Sequence, residues 1–157
     1  MLNYRFLRGE KTSDKTPSVA IVDDENAIVD VLKMVLARHA IPIVFTANDG
    51  DVAVELFKKA NPKPDIILMD HRMLKMDGLE AMKQILNIDP HIKIIFISAD
   101  GHMESEALNA GAKLFITKPA SLNTILKGIE ITQNPDEPSV DRKNTDFKGF
   151  TLKTSAI

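Results

Sequence analysis

Short, mainly apolar runs alternate with longer amphipathic stretches along most of the chain. Such runs are typical of strands covered on both faces of a parallel sheet. They occur at residues 19–22, 43–45, 66–69, 92–97 and 112–116. Between them apolar residues recur at helical spacing, as at Ile28, Leu32 and Val35. Each run is therefore predicted to be a strand that is followed by a helix.

The five strand–helix units predict an α/β fold. No two-residue hairpin signal separates the strands, so we expect a parallel sheet with helices on both faces. Right-handed crossovers leave few topologies, and order 2-1-3-4-5 suits five units. Gly111 is expected to end the short fourth helix, and Ser121 to cap the fifth. The prediction is a flavodoxin-like (βα)5 three-layer sandwich.

This domain is expected to span residues 18–131. Residues 1–17 are polar and are predicted to be a flexible extension. Residues 132–157 begin with a linker-like, proline-containing stretch, and a disordered tail is the preferred interpretation. Phe147 and Phe150 are the only aromatic residues of this tail. They leave open a docking motif, or a strand added to an edge of the domain.

Composition narrows the function classes. The formal net charge of −2 gives no reason to expect nucleic acid, and the chain has no cysteine for disulfides or thiolate chemistry. The tail has too few apolar residues for a helix-turn-helix, so direct DNA binding is not expected. The apolar runs are too short to span a membrane, and no signal peptide is evident. A cytoplasmic protein is the default expectation.

Polar side chains follow four of the five predicted strands. Asp23 and Asp24 follow the first, Asp70 the third, Ser98 the fourth and Lys118 the fifth. The carboxyl ends of parallel strands meet at one edge of a sheet, so these side chains should converge. Three neighbouring carboxylates repel one another and need a cation. Oxygen ligands without histidine or cysteine favour Mg²⁺, with Mn²⁺ as an alternative.

The same residues suit phosphoryl chemistry. Mg²⁺ is typically bound through one or two carboxylates together with phosphate oxygens, so the metal implies phosphate. The Ser98 hydroxyl and the Lys118 ammonium suit phosphoryl oxygens. Asp70 could then act as nucleophile and become an acyl phosphate. No residue pattern suggests a pocket for a second substrate, so transfer onto the protein itself is expected.

These motifs resemble the receiver domain of two-component response regulators, of the stand-alone chemotaxis-regulator type. The resemblance covers about residues 18–131 and rests on four stretches. They are Val22-Asp23-Asp24-Glu25, Ile67-Leu68-Met69-Asp70 with Met76-Asp77-Gly78, Ile97-Ser98-Ala99, and Phe115-Ile116-Thr117-Lys118-Pro119. Each stretch alone is weak, but all four at predicted strand ends make a specific match.

The resemblance implies a phosphorelay role for Asp70. This residue would accept phosphate from a histidine of a sensor kinase or phosphotransfer protein. Asp23, Asp24 and Asp70, with the backbone carbonyl of Arg72, would hold Mg²⁺ directly or through water. Lys118 would contact the phosphate.

Further roles follow from the same resemblance. On phosphorylation, Ser98 would turn inward and Phe115 would swing inward as an aromatic switch. The Lys118–Pro119 peptide would be cis. Arg72 and Asp100 would tune the access of water, and we hypothesise that they pair across the site and slow hydrolysis.

Plainer interpretations remain for several of these residues. Asp23 and Asp24 could cap a helix, Ser98 could satisfy a backbone group, and Phe115 could be ordinary core. The four histidines, at positions 39, 71, 91 and 102, are expected at the surface. Leu74 stands where the family usually has proline, so a less rigid loop is expected there. Ala120 replaces a common phenylalanine, which weakens any inference about dimerisation.

The best hypothesis is a single-domain response regulator that is not an enzyme. A downstream partner is expected on the fourth helix, fifth strand and fifth helix, and the protein should be a monomer or a phosphorylation-linked dimer. A Mg²⁺-dependent phosphohydrolase is disfavoured because Arg72 stands where its second aspartate is expected. A phosphorylation-independent receiver-like interaction module is the other alternative, and the intact acidic residues argue against it.

Overall fold

The computed structural model describes residues 16–134 and 150–152. These residues form helices and strands in the alternating order that the sequence predicts. The elements are β1 (Val19–Val22), α1 (Asn26–Arg38), β2 (Ile43–Ala47), α2 (Gly50–Lys59), β3 (Ile66–Asp70), α3 (Gly78–Ile88), β4 (Lys93–Ser98), a 3-10 turn (Gly101–Met103), α4 (Glu104–Ala110), β5 (Leu114–Thr117), α5 (Leu122–Gln133) and β6 (Phe150–Leu152).

The first five strands are parallel and lie in the order 2-1-3-4-5, which confirms the predicted fold class. In the register between β1 and β3, Val22 lies opposite Met69. Asp23 follows Val22 and Asp70 follows Met69, so two neighbouring strands bring their aspartates to the same place. The register therefore assembles the acidic edge of the sheet.

Alternate strand residues pack into two separate cores. Val22 and Met69 belong to the core beneath α2, α3 and α4, whereas Ile21 and Leu68 belong to the core beneath α1 and α5. This alternation follows from the period of two along a strand. Because helices cover both faces, all four residues of β1 are buried. The three-layer arrangement is the predicted one.

The helix ends follow local chemistry. The Ser121 hydroxyl accepts a hydrogen bond from the Thr124 N–H at 3.1 Å at the start of α5, as expected. Gly111, with φ of +123°, ends α4, a backbone conformation that favours glycine. The residue before α1 is Glu25, with no side-chain cap. Asp23 instead accepts the Glu25 N–H, so capping of α1 by Asp23 is not observed.

A sixth strand, β6, extends the sheet beyond β5. It runs antiparallel, with Phe150 opposite Ile116 and Leu152 opposite Leu114. Disorder in the tail is therefore wrong for these three residues, and the alternative of an added edge strand is what the structure has. The rest of the predicted tail, and residues 1–15 of the predicted extension, lie outside the described residues.

The position of β6 has a physical reason. Lys113 donates its N–H to Ile94 in β4 at 2.9 Å, and successive strand amides point to opposite sides. The N–H groups of Leu114 and Ile116 therefore point away from β4, towards β6. Without β6 these groups would form an open sheet edge, which proteins commonly cover.

Within the described residues, no helix is both long enough and apolar enough to cross a lipid bilayer. The sequence expectation that no segment spans a membrane rests on the same lack of long apolar stretches.

Candidate functional site

Three aspartates meet at the carboxyl ends of β1 and β3. One carboxylate oxygen from each of Asp23, Asp24 and Asp70 lies within 4.8 Å of the other two. Asp23 and Asp70 are buried, whereas Asp24 is exposed. Like charges at this separation repel strongly where water is partly excluded. The structure thus brings together the three residues that the sequence assigned to a cation.

Lys118 provides the positive charge of this cluster. Its Nζ lies 2.5 Å from Asp70 Oδ1 and 3.5 Å from Asp23 Oδ2. Burial disfavours the charged ammonium, but the hydrogen bond to Asp70 and the charges of both aspartates outweigh it and raise the pKa of Lys118. The Lys118 ammonium is therefore held in its charged form beside Asp70 and Asp23.

The backbone around Lys118 is fixed at the end of β5. Its N–H donates to the Ser98 carbonyl at 2.8 Å, which ties the ends of β4 and β5 together. The Lys118–Pro119 peptide is cis, as the sequence resemblance implied. A second cis peptide, Asn61–Pro62, was not predicted.

The environment of Asp23 favours binding of a cation. Burial raises the pKa of its carboxyl group. The Glu25 N–H, 2.9 Å from Asp23 Oδ1, opposes this increase, and the charge of Asp70 adds to it. Ionising Asp23 is therefore costly until a cation neutralises its charge. A cluster of hard oxygen donors with this property fits Mg²⁺. The role of the Arg72 carbonyl stays a prediction.

Ser98 is almost fully buried at the end of β4. Its Oγ accepts a hydrogen bond from the Asp100 N–H at 3.0 Å and lies 3.1 Å from His71 Nδ1. The plainer interpretation, that Ser98 satisfies a backbone group, therefore describes its position here. Its inward turn on phosphorylation stays a prediction.

His71 is a residue that the sequence interpretation placed incorrectly. It was expected at the surface, but it is half-buried and its ring centroid lies 5.6 Å from that of Phe96. The first residue after a strand is exposed at Asn48 and Ala99 but buried at Asp23, so its place in the sequence does not fix its burial. The only available signal was the histidine's place directly after Asp70.

Phe115 is fully buried and packs against Phe96, with ring centroids 6.1 Å apart and planes inclined by 21°. Phe115 thus occupies the core position that the plainer interpretation assigns to it, in the same core as Met69 and Val22. The switching role of Phe115 stays a prediction.

Arg72 and Asp100 form the pair that the sequence hypothesis proposed. The guanidinium Nη2 lies 3.8 Å from Asp100 Oδ2, and the Arg72 side chain is 80% exposed. An exposed pair at this distance contributes little to stability. Any functional effect of the Arg72–Asp100 pair therefore comes from its position near the acidic cluster and not from a contribution to stability.

Asp49 restrains the loop that follows Asp70, and the sequence did not reveal it. Its carboxylate accepts the N–H groups of Lys75 and Met76, both at 2.9 Å. Burial alone would raise its pKa, but these backbone hydrogen bonds outweigh it and lower the pKa of Asp49. Leu74, at the usual proline position, is 90% exposed. The loop is thus held by a distant carboxylate and not by a proline.

Fold and site together define a class of protein. A doubly wound sheet of order 2-1-3-4-5 with acidic residues at the ends of the adjacent strands β1 and β3 is the architecture of a receiver domain. The family model for the response regulator receiver domain matches residues 19–130, and the chain belongs to this family.

Similar proteins point to the stand-alone chemotaxis type. The chain is 35% identical to chemotaxis protein CheY of Treponema pallidum over 82% of this chain and 90% of that protein. It is 40% identical to CheY of Thermotoga maritima over 71% of this chain and 92% of that protein. These relatives are response regulators, which are signalling proteins and not enzymes.

A solved structure agrees with this assignment. The crystal structure of the CheX–CheY–BeF3–Mg²⁺ complex from Borrelia burgdorferi matches with a TM-score of 0.67 and 32% identity, over 73% of this chain and 87% of that one.

Proposed function

We propose that this protein is a cytoplasmic single-domain response regulator that accepts a phosphoryl group on Asp70. The donor is a phosphohistidine of a sensor kinase or phosphotransfer protein, and the result is a change in partner binding. The observation that carries the proposal is the position of Asp70. It is buried at the end of β3, beside Asp23 and Asp24, with the Lys118 ammonium 2.5 Å from its Oδ1.

The phosphoryl transfer is a single displacement. A bond forms between an Asp70 carboxylate oxygen and phosphorus while the phosphorus–nitrogen bond of phosphohistidine breaks. The Lys118 ammonium attracts the phosphoryl oxygens and compensates their charge. Asp23 and Asp24, with Asp70 and the Arg72 carbonyl, would hold Mg²⁺ or Mn²⁺. When bound, the metal neutralises the acidic cluster and the phosphoryl oxygens.

The relatives support the proposed metal. The Borrelia burgdorferi CheY occurs in a complex with BeF3 and Mg²⁺, and the acidic cluster of this chain offers carboxylate oxygens, which Mg²⁺ prefers.

The switch would connect Asp70 to Phe115. A phosphoryl group on Asp70 would draw the Ser98 hydroxyl towards it, and Phe115 packs on Phe96 in the same core. Differential contacts of this kind shift the balance between two arrangements of a protein.

The partner surface is proposed to consist of α4, β5 and α5. Because β6 covers the edge of β5, a partner would meet β6 along this surface instead of an open strand. Direct DNA or membrane contact is not part of the proposal. The protein would act as a monomer or as a phosphorylation-linked dimer.

Chemical-shift changes on adding Mg²⁺ and beryllofluoride should reach α4 and β5, and changes confined to the acidic edge would contradict this partner surface.

The central test is phosphorylation by a small donor. Incubation with Mg²⁺ and acetyl phosphate is expected to add the mass of one phosphoryl group to the intact protein. Asp70→Asn replaces the nucleophilic carboxylate with a neutral amide and is expected to abolish the adduct completely. Omission of Mg²⁺ should have the same effect, because the carboxylates then repel the phosphoryl oxygens. Intact-mass spectrometry measures all three.

A missing adduct has to be followed by beryllofluoride binding, since some receivers accept only their own kinase. If the wild-type protein neither forms the adduct nor binds beryllofluoride with Mg²⁺, the proposal is wrong. The phosphorylation-independent interaction module would then take its place.

Arg72 and Asp100 are proposed to slow hydrolysis of the acyl phosphate. Arg72→Ala removes the pair that is proposed to limit the access of water, so faster loss of the adduct is expected. An exposed pair contributes at most about 1 kcal/mol, which limits the acceleration to about fivefold. Mass spectrometry at intervals after donor removal gives the rate.

Lys75→Ala is the matched control for Arg72→Ala. Lys75 lies in the same loop, is 70% exposed and forms an equally long ion pair, 3.8 Å from Asp51. Its removal should leave the hydrolysis rate unchanged. Equal rates for the wild-type protein and Arg72→Ala would contradict the assigned role.

A further inference from the structure

His71 contacts the proposed switch residue, yet the proposed function gives it no task. It directly follows Asp70, and its Nδ1 lies 3.1 Å from Ser98 Oγ. The imidazole is half-buried and the serine almost fully buried, so water competes weakly for this contact. A hydrogen bond in such a place constrains where the hydroxyl proton can point.

Ser98 has a second contact, to the backbone of Asp100. The Asp100 N–H donates to Ser98 Oγ at 3.0 Å and so occupies one lone pair of the hydroxyl. A hydroxyl has one proton to donate, and a neutral imidazole has one nitrogen that accepts. When the imidazole carries its proton on Nε2, Nδ1 is the acceptor of this hydrogen bond and the Ser98 O–H is the donor.

The histidine is fixed in place from several sides. Its N–H donates to the Ile97 carbonyl at 3.1 Å, and its carbonyl accepts the Gly78 N–H at 2.8 Å. Its ring contacts Phe96, inclined by 44°. The acceptor nitrogen therefore cannot easily follow Ser98 if the serine side chain moves.

We propose that His71 accepts the Ser98 O–H at Nδ1 and is a positioning residue that holds this hydroxyl in competition with the phosphoryl group on Asp70. The inference rests on the proposed function, because it concerns the same serine. One proton cannot be donated to His71 and to a phosphoryl oxygen at once. Ser98 must give up His71 before it can bind phosphate, so the histidine sets how readily the switch responds.

The test compares beryllofluoride binding with Mg²⁺ in full-length variants. His71→Phe keeps a ring against Phe96 but removes the acceptor, so Ser98 is released and tighter binding is expected. The gain is about fivefold if one hydrogen bond contributes about 1 kcal/mol. His71→Asn carries an oxygen on Cγ, where histidine has Nδ1, and is expected to restore affinity close to that of the wild-type protein.

A double-mutant cycle separates this hydrogen bond from a general structural role. In a Ser98→Ala background no hydroxyl remains to be released, so His71→Phe should no longer change the affinity. Thermal unfolding of each variant verifies that it is folded. An equal effect of His71→Phe in both backgrounds would overturn the proposal. So would an unchanged or weaker affinity of the single variant.

A nuclear magnetic resonance measurement keeps the two proposals distinguishable. If beryllofluoride binds every protein with the same affinity, the response regulator function stands and the role of His71 falls. If it binds none, the proposed function falls, and the ¹⁵N resonance of His71 Nδ1 decides the remaining question. Ser98→Ala should shift this resonance, and an unchanged resonance would show that no such hydrogen bond exists.

Discussion

Gly78→Ala is expected to destabilise the protein by about 3 kcal/mol, as for severe overpacking of a buried position. An added Cβ would collide with the carbonyl oxygen of Asp70. It would also lie 2.9 Å from the Asp70 carbonyl carbon and 3.1 Å from Met69 Cγ. Two of these atoms belong to the backbone, so no side-chain rotation relieves the collision. The start of α3 and the end of β3 would have to separate.

The same displacement should impair the phosphoryl site. Gly78 donates its N–H to the His71 carbonyl at 2.8 Å, so moving α3 disturbs the backbone of both Asp70 and His71. Urea denaturation measures the loss of stability as a lower midpoint, and the acetyl phosphate reaction measures the loss at the site.

Gly101→Ala is the control for the glycine substitution. Nothing lies within 4 Å of a Cβ added at this exposed position, so the change in stability should stay within about 0.5 kcal/mol. Equal urea midpoints for Gly78→Ala and Gly101→Ala would contradict the prediction, because they would show that β3 and α3 can separate without loss of stability.

The acidic edge of the sheet was predictable because parallel topology alone brings strand ends together. Once residues 19–22 and 66–69 are assigned to neighbouring parallel strands, Asp23 and Asp70 must lie side by side. Ser98 and Lys118 follow by the same rule. No long-range contact has to be known, since the strand order and the end of each strand suffice.

The sequence did not predict the contacts of Asp49 and His71, because these contacts depend on the direction in which each side chain points. The Asp49 carboxylate reaches Met76, 27 positions further along the chain, and nothing near Asp49 in the sequence indicates this contact. For His71, the sequence cannot tell whether the first residue after a strand turns inward. Loop geometry decides both, and it is set by packing instead of by periodicity.

The sequence predicts an added edge strand such as β6 only as the alternative to a disordered tail, and the reason is different. Residues 150–152 are too few to display the alternation that identifies a strand. What makes them a strand is the row of backbone groups along β5, which any extended segment within reach can cover. The strand conformation of β6 is therefore determined mainly by the open edge of β5 and only slightly by the sequence of residues 150–152.

Lys118→Met is expected to abolish the phosphoryl adduct and, without Mg²⁺, to lower the free energy of unfolding by about 2 kcal/mol. Removing one member of a buried ion pair commonly costs about 3–5 kcal/mol, and partial exposure of Lys118 reduces this. The side chain of Lys118 is 27% exposed, whereas those of Asp23 and Asp70 are 8% and 7% exposed. Urea denaturation with and without Mg²⁺ is the measurement.

Lys58→Met tests whether any lost ion pair has this effect. Lys58 pairs with Glu55 at 2.9 Å, but both side chains are more than half exposed. Its replacement should cost less than about 0.5 kcal/mol and should not respond to Mg²⁺. A similar loss of stability in both variants would mean that the burial of Lys118 between two aspartates adds nothing to the strength of its ion pairs.

The pH dependence of the stability of the Lys118→Met variant shows whether lost charge or lost packing causes the destabilisation. Burial already raises the pKa of Asp23, and loss of the ammonium should raise it further. A carboxyl group whose pKa is raised on folding stabilises the protein below its unfolded pKa, and this contribution is lost as pH rises through the folded pKa. The deficit of the variant should therefore be small in acid and grow towards neutral pH. Mg²⁺ should reduce it at neutral pH by supplying the missing positive charge. A deficit that is independent of both pH and Mg²⁺ would show that lost packing, and not lost charge, is responsible.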